Sequence, residues 1–96
     1  MNKYILEGKQ PIKVDDILEW ARWYQTGNRI VEQTQIGDVK VSTVFLGIDH
    51  ALRCGEPILF ETMIFGGDDD QCQARYSTWD EAVKGHRFAC EKVTTN

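Results

Sequence analysis

The sequence predicts an α+β fold in which an antiparallel β-meander of three to four strands carries two α-helices on one face. Three observations predict it. Two segments repeat apolar residues at helical spacing, which predicts helices. Several other segments alternate apolar and polar residues or are rich in β-branched residues, which predicts strands. A two-residue turn joins two of these strands into a hairpin. The predicted order is β-α-β-β-β-β-α, within a single domain of residues 1–96.

The first predicted element is a short edge strand over residues 3–9, which ends near a glycine and is followed by Pro11. The first helix comes next, with Asp15 or Asp16 as its cap, residues 17–25 as its body and Gly27 at its end. Its predicted core stripe is Val14, Ile17, Leu18, Ala21 and either Tyr24 or Gln25. Trp20 and Trp23 widen the apolar surface beyond this stripe. We therefore expect one of these two side chains to be covered by something other than water.

The middle of the chain predicts strands. Residues 29–36 alternate, which would place Ile30, Glu32, Thr34 and Ile36 on one face. Gly37 and Asp38 suit a tight turn into a return strand over residues 39–46. Residues 58–65 are apolar on both faces except for Glu61, which is typical of a central strand.

The last third predicts a weaker strand over residues 72–76 and then a long helix. Thr78 and Glu81 have the spacing of a capping box, which marks the amino end of that helix. The apolar face predicted from helical spacing consists of Trp79, Ala82, Val83, His86, Ala89, Cys90 and Val93. His86 is therefore expected to be buried.

Composition excludes several classes of function. The 96 residues contain 11 Lys and Arg against 15 Asp and Glu, a net charge of −4 without a basic cluster, which argues against nucleic-acid binding. No apolar run approaches the roughly 20 residues that cross a bilayer, and the first residues do not begin a signal peptide. The three cysteines, Cys54, Cys72 and Cys90, lack zinc-site spacing and suit reduced thiols in a cytoplasm. No metal or cofactor is expected.

One group of residues is a candidate for catalysis. The set is Asp49, His50, Glu61 and His86. Two histidines with carboxylates could bind a divalent metal or perform acid–base chemistry, as in a small hydrolase, and Cys54 with His50 is a further nucleophile–base pair. The structural alternative is that His86 bonds a strand, Asp49 and His50 form a turn, and Glu61 pairs with Arg22 or Arg75.

A second group is a candidate for binding. It consists of Trp20, Arg22, Trp23, Tyr24, Tyr76 and Trp79. Tryptophan and tyrosine contribute most of the binding energy at many interfaces, so these residues predict a contact surface. Core packing, or burial between copies of the chain in a homodimer or higher homo-oligomer, explains them equally well.

Three segments carry a resemblance: S-T-V-F-L-G-I-D-H over residues 42–50, L-F-E-T-M-I-F over residues 59–65, and Y-S-T-W-D-E-A-V-K-G-H over residues 76–86. With them, the chain resembles a family of small proteins of bacteriophages, prophages and bacterial genomes. The resemblance implies a cytoplasmic accessory protein of a phage. Such proteins commonly bind stoichiometrically, which predicts inhibition of a host protein or sequestration of a nucleotide signal in an antiviral defence system.

Two other functions stay open from the sequence. One is the metal-dependent or His/Glu hydrolase, and the other is a structural or assembly component of the phage. Among ligands for a binding protein, the acidic charge favours a protein over a phosphate-rich molecule, because it repels anions at long range. A local pocket of arginines would reverse that preference.

Overall fold

The chain begins with a β-hairpin. The computed structural model describes residues 2–51 and 54–95. Its first two strands, β1 (Lys3–Glu7) and β2 (Gln10–Val14), pair antiparallel, and Glu7 lies opposite Gln10 next to the turn. Gly8 has a φ of +60°, which a glycine adopts without steric cost and which a turn of this length requires. Pro11 is accommodated in β2 because β2 is the outer strand of this sheet and pairs only with β1.

Helix α1 (Ile17–Thr26) follows the hairpin directly. The Oδ1 atom of Asp16 accepts hydrogen bonds from the backbone N–H groups of Leu18, at 2.9 Å, and Glu19, at 3.4 Å. At the other end, the N–H of Gly27 donates to the carbonyl of Trp23. The cap and the end therefore lie where the sequence predicts them.

Four strands form the main sheet. They are β3 (Ile30–Ile36), β4 (Val39–Phe45), β5 (Phe60–Phe65) and β6 (Gln73–Tyr76), and they pair antiparallel in the order β3-β4-β5-β6. Gly37, with a φ of +58°, begins the turn between β3 and β4. The sheet is thus a meander, and β5 lies inside it as predicted.

A β-bulge in β3 alters the predicted alternation. Ile30 pairs with Val44 and Glu32 with Thr43, so two residues, Val31 and Glu32, oppose a single residue of β4. Val31 packs against the core, and Glu32 faces the same side. Ile30 consequently lies on the opposite face from Glu32, and the sequence-based assignment of both to one face is wrong.

Helix α2 (Trp79–Thr95) packs across all four strands of the main sheet. Its capping box is formed: the Glu81 N–H donates to the Thr78 hydroxyl, and the Glu81 carboxylate accepts from the N–H groups of Ser77 and Thr78, each at 3.1 Å. The buried face contains Ala82, His86 and Ala89, as helical spacing predicts.

The core is shared between the sheet, both helices and the hairpin. Phe45, Leu59, Phe60 and Ala82 form one buried cluster. Tyr4 and Leu6 of the hairpin and Trp23 of α1 pack against that cluster. The hairpin and both helices therefore lie on the same face of the main sheet.

The predicted α+β class, with two helices on one face of an antiparallel meander, is confirmed. The structure adds β2, which pairs with the predicted first strand. Cys54 and Cys72 are exposed and Cys90 is half-buried, all as free thiols. Within residues 2–51 and 54–95, no helix has the length and apolarity needed to cross a membrane.

Candidate functional site

Asp49 and His50 lie in the loop that follows β4. One carboxylate oxygen of Asp49 accepts hydrogen bonds from the backbone N–H groups of Ala51, at 2.8 Å, and Ile58, at 2.9 Å. The N–H of His50 donates to the carbonyl of Ile58 at 2.9 Å. These bonds join the two ends of the loop, as expected for residues that hold a turn in shape.

Glu61 lies on the face of the sheet away from the helices. Its carboxylate accepts a hydrogen bond from Nε of Arg75 at 2.9 Å, across the β5–β6 pair. The pair is partly exposed, because the Arg75 side chain retains 44% of its accessible surface. Of the arginine partners expected for Glu61, the structure selects Arg75.

His86 lies between α2 and the sheet at the centre of a buried polar network. Its Nδ1 is 2.7 Å from the Thr43 hydroxyl and its Nε2 is 2.9 Å from the Thr34 hydroxyl. The Thr43 hydroxyl is also 2.6 Å from that of Thr62. Two threonines on neighbouring strands therefore bond one histidine of the helix, and a third threonine, on β5, joins the network through Thr43.

Burial lowers the pKa of His86 from its ordinary value, and the carboxylate of Glu32, 3.7 Å from Nε2, opposes that change. The imidazole is thus neutral near pH 7. We assign the proton to Nε2, which faces Glu32 and donates to Thr34. Nδ1 then accepts from Thr43, which in turn accepts from Thr62, so that every ring nitrogen has a partner.

Thr43, His86 and Glu32 follow the order of a hydroxyl, an imidazole and a carboxylate, as in the triad of a serine hydrolase. Burial prevents this use, because Thr43 and His86 are only 0% and 1% exposed, and a substrate could not reach the hydroxyl. The network instead satisfies polar groups between the helix and the sheet.

The structure does not bring the four candidate catalytic residues together. Glu61 and His86 lie on opposite faces of the sheet, while Asp49 and His50 lie in a loop at its end. Among the described residues, no group of three or more His, Cys, Asp or Glu side chains has the geometry to hold a metal ion.

The aromatic members of the predicted binding group on α1 face the body of the protein. Trp20 stacks on Tyr24, with 4.7 Å between ring centroids, and its indole N–H donates to the carbonyl of Gly47 at 3.0 Å. The guanidinium of Arg29 lies 4.0 Å above the Tyr24 ring and also donates to its hydroxyl. Trp23 meets Phe45 edge-on at 5.6 Å. Together these rings hold α1 in place.

The remaining predicted binding residues are also partly covered. Trp79 meets Phe60 edge-on, with 6.2 Å between ring centroids, and Tyr76 lies directly over Gly85 of α2. Arg22, by contrast, is exposed on α1. Of the six residues, the five aromatic ones therefore contribute to packing, and only Arg22 is free of the core.

The exposed apolar side chains of α1 are Ile17 and Leu18, at 59% and 66% exposure. Of the predicted core stripe, Val14 is buried and Ala21 and Tyr24 are half-buried. The assignment of Ile17 and Leu18 to that stripe is wrong, because the wider tryptophan and tyrosine rings occupy the inner face. Asp15, Asp16 and Glu19 are exposed beside Ile17 and Leu18. We call these five residues the α1 patch. The sequence signal for it was the presence of two competing apolar stripes on one short helix.

The main sheet has a second surface, which we call the open face. Its side chains follow from the strand pairing and are Ile30, Gln33, Gln35, Lys40, Ser42, Val44, Glu61, Met63, Phe65, Gln73 and Arg75. Ile30 and Phe65 are 46% and 44% exposed. Every helix described packs on the other side of the sheet, so this face meets no further element.

A cleft of about 580 Å³ lies between the hairpin and the amino end of α2. Tyr4, Leu59 and Trp79 provide its main apolar lining. Its charged residues are Glu7, Lys9 and Asp80. The volume suits a small ligand, but the balance of charge is acidic.

Comparison with known proteins gives no relative: neither the protein-family models, nor the curated proteins, nor the solved structures contain a match to this chain. The resemblance to phage proteins therefore stays a prediction. The functional argument depends on the geometry of the described residues.

Proposed function

We propose that this chain is a non-enzymatic binding protein that inhibits a host protein by stoichiometric binding in the cytoplasm of a phage-infected cell. The observation that carries the proposal is the α1 patch. It exposes two large aliphatic side chains on a regular helix whose other side is fixed to the core. The phage origin, the stoichiometric inhibition and the antiviral defence system as target are the parts that come from the resemblance.

The patch is presented in a rigid form. Asp16 caps the first turn, while Trp20 bonds Gly47 and Trp23 packs on Phe45. A helix held in this way loses little conformational entropy on binding, because its backbone is already ordered. Ile17 and Leu18 can therefore dock as adjacent anchors of a preformed helix.

The surroundings of the patch define its partner. Asp15, Asp16 and Glu19 place carboxylates beside the aliphatic pair, and the whole chain has a net charge of −4. The complementary surface is an apolar groove bordered by lysine or arginine, and opposite charges would accelerate the encounter. A host protein with a basic binding groove fits this description.

The cleft favours a protein target over a nucleotide signal. Glu7 and Asp80 line it against Lys9 alone. The amino end of α2, where a phosphate would otherwise bind, is occupied by the carboxylate of Glu81. Phosphate groups would meet repulsion in this cleft.

The proposal is tested by capturing partners from host cells with tagged protein. The double variant Ile17→Ser, Leu18→Ser removes the patch, and Phe88→Ser is the matched control, because Phe88 is 69% exposed on α2. We expect the wild type and the Phe88 variant to retain one host protein in a 1:1 ratio of chains, and the double variant to lose it. Equal capture by all three would overturn the proposal.

A further inference from the structure

We propose that the open face of the main sheet is the interface between two copies of this chain, which dimerise face to face and direct both α1 patches outward. The formation of the dimer does not depend on the proposed function. The ability of the dimer to bind two target sites rests on the proposed function, because it requires the α1 patch to be the binding surface.

The apolar residues of the open face lie along a diagonal of the sheet. Ile30 and Val44 pair across β3 and β4, and Met63 and Phe65 follow on β5. Glu61 lies directly opposite Val44, and Met63 is the diagonal neighbour of Val44, so the four residues form a diagonal band. Another layer of structure normally covers such a band on a sheet, because each exposed aliphatic or aromatic side chain costs free energy in water. In a single chain, the two ends of the band stay about half exposed.

The area of the open face is sufficient for a small specific dimer. Four strands about 4.8 Å apart, with a mean length of about 20 Å, give a platform of roughly 19 by 20 Å. With its side chains, such a platform buries roughly 600 Å² on each partner, and so about 1,200 Å² in total, the lower end of specific interfaces. Two sheets packed in this way are a common architecture.

The charge of the open face also permits self-association. Glu61 and Arg75 neutralise each other, which leaves Lys40 as its one unpaired charge. Most of the acidic residues lie elsewhere, so two copies can approach through this face with little repulsion. The exposed glutamine side chains around the band can supply hydrogen bonds that do not depend on charge.

The dimer has a functional consequence. The open face is opposite the face that carries α1 and α2, so association leaves both α1 patches accessible. A dimer would therefore engage two sites of an oligomeric target, and the second binding event would be intramolecular. Disruption of the dimer would then weaken inhibition without removing the α1 contact.

Sedimentation velocity of the purified chain at roughly 100 µM tests the dimer, at a concentration where small specific interfaces are occupied. We expect the wild type to sediment at twice the 11.0 kDa chain mass. Phe65→Glu and, separately, Ile30→Glu should give monomers, since both residues are exposed and neither supports the core. Phe88→Ser is the control and should stay dimeric; circular dichroism checks that each variant is folded.

A wild-type monomer at this concentration would overturn the proposal. So would a dimer that survives both substitutions or dissociates with Phe88→Ser, because association would then use another surface. A monomer that binds a host protein through Phe65 would assign the open face to a different partner and contradict the second copy. In each of these cases the α1 patch could still bind its target, so the two proposals fail separately.

Discussion

At the level of single residues, His86 shows how much the sequence can predict of a buried polar group. Helical spacing places it correctly on the inner face of α2. The hydroxyls that bond it belong to Thr34 of β3 and Thr43 of β4, and Thr62 of β5 extends the network through Thr43. Only the strand register brings these three residues together. Such a long-range alignment has no local signal in the chain.

His86 gives the first prediction, a loss of stability at mildly acidic pH. Its ordinary pKa is about 6.5, which applies to the unfolded chain, and burial lowers the pKa in the folded chain. Below about pH 6.5 the unfolded chain therefore takes up the proton first. The stability is complete above that pH and is lost as the pH falls through the lowered pKa. Urea denaturation between pH 8 and pH 5 measures this.

His86→Gln should remove that dependence and lower the free energy of unfolding at pH 8 by about 1–3 kcal/mol, because threonine hydroxyls lose a partner. His50→Gln removes the other histidine of the chain and is the control, which should keep the decline. A His86 variant with wild-type stability and an unchanged pH profile would contradict the structural role of this network.

At the level of elements, α1 shows why the core stripe could not be predicted from periodicity. Two stripes are available on its ten residues, one aliphatic and one aromatic. The spacing of the residues favours both stripes about equally, so the residues against which the helix packs decide which stripe faces the core. Phe45 and Gly47 provide a ring edge, a carbonyl and close space for aromatic side chains, so the aromatic stripe turns inward.

This orientation predicts effects of very different size for two apolar residues of α1. Trp23→Ala should destabilise the protein by about 2–4 kcal/mol, because it removes a half-buried ring from the core cluster. Leu18→Ser should change the free energy of unfolding by less than about 0.5 kcal/mol, because the side chain is exposed. Thermal and urea denaturation compare them, and a reversed order would place the aromatic stripe outside.

The contact between α2 and β6 gives another prediction at this level. A methyl group on Gly85 would overlap the Tyr76 ring, so Gly85→Ala should destabilise the wild type by about 1–3 kcal/mol. With Tyr76→Ala already present, the same change should stabilise the helix by up to about 1 kcal/mol, since alanine is the better helix former. The same sign in both backgrounds would contradict this packing.

The bulge in β3 limits sequence-based prediction in a similar way. An alternating segment predicts its two faces only while the pairing register is unbroken. Here Val31 and Glu32 both turn toward α2, which gives the core a valine and leaves Ile30 on the open face. The residue pattern contains no glycine or proline that would mark this position.

At the level of the whole molecule, the antiparallel topology explains why the predicted catalytic set is dispersed. Each strand sends successive side chains to opposite faces, so Glu61 and the network of His86 are separated by the sheet itself. Element order and helix boundaries follow from local patterns and were predictable. The grouping of distant side chains depends on register and packing, which a single sequence does not encode locally.

The two exposed apolar surfaces share this origin. Ile17 and Leu18 of the α1 patch were assigned to a core stripe, and Ile30 of the open face was assigned to the face that carries Glu32, but the structure leaves all three exposed. The α1 patch is framed by carboxylates, which suits a basic partner, and the open face is nearly neutral, which suits a second copy. Their separation on opposite sides of the molecule allows both to be occupied at once.

The most direct test of the central claim is native mass spectrometry of the chain isolated from its host cells under gentle conditions. The account predicts a complex of fixed stoichiometry with one host protein, and free protein for the Ile17→Ser, Leu18→Ser variant. A chain that instead retains a nucleotide or a metal ion, and no protein, would contradict the account and return attention to His50, His86 and the cleft beside α2.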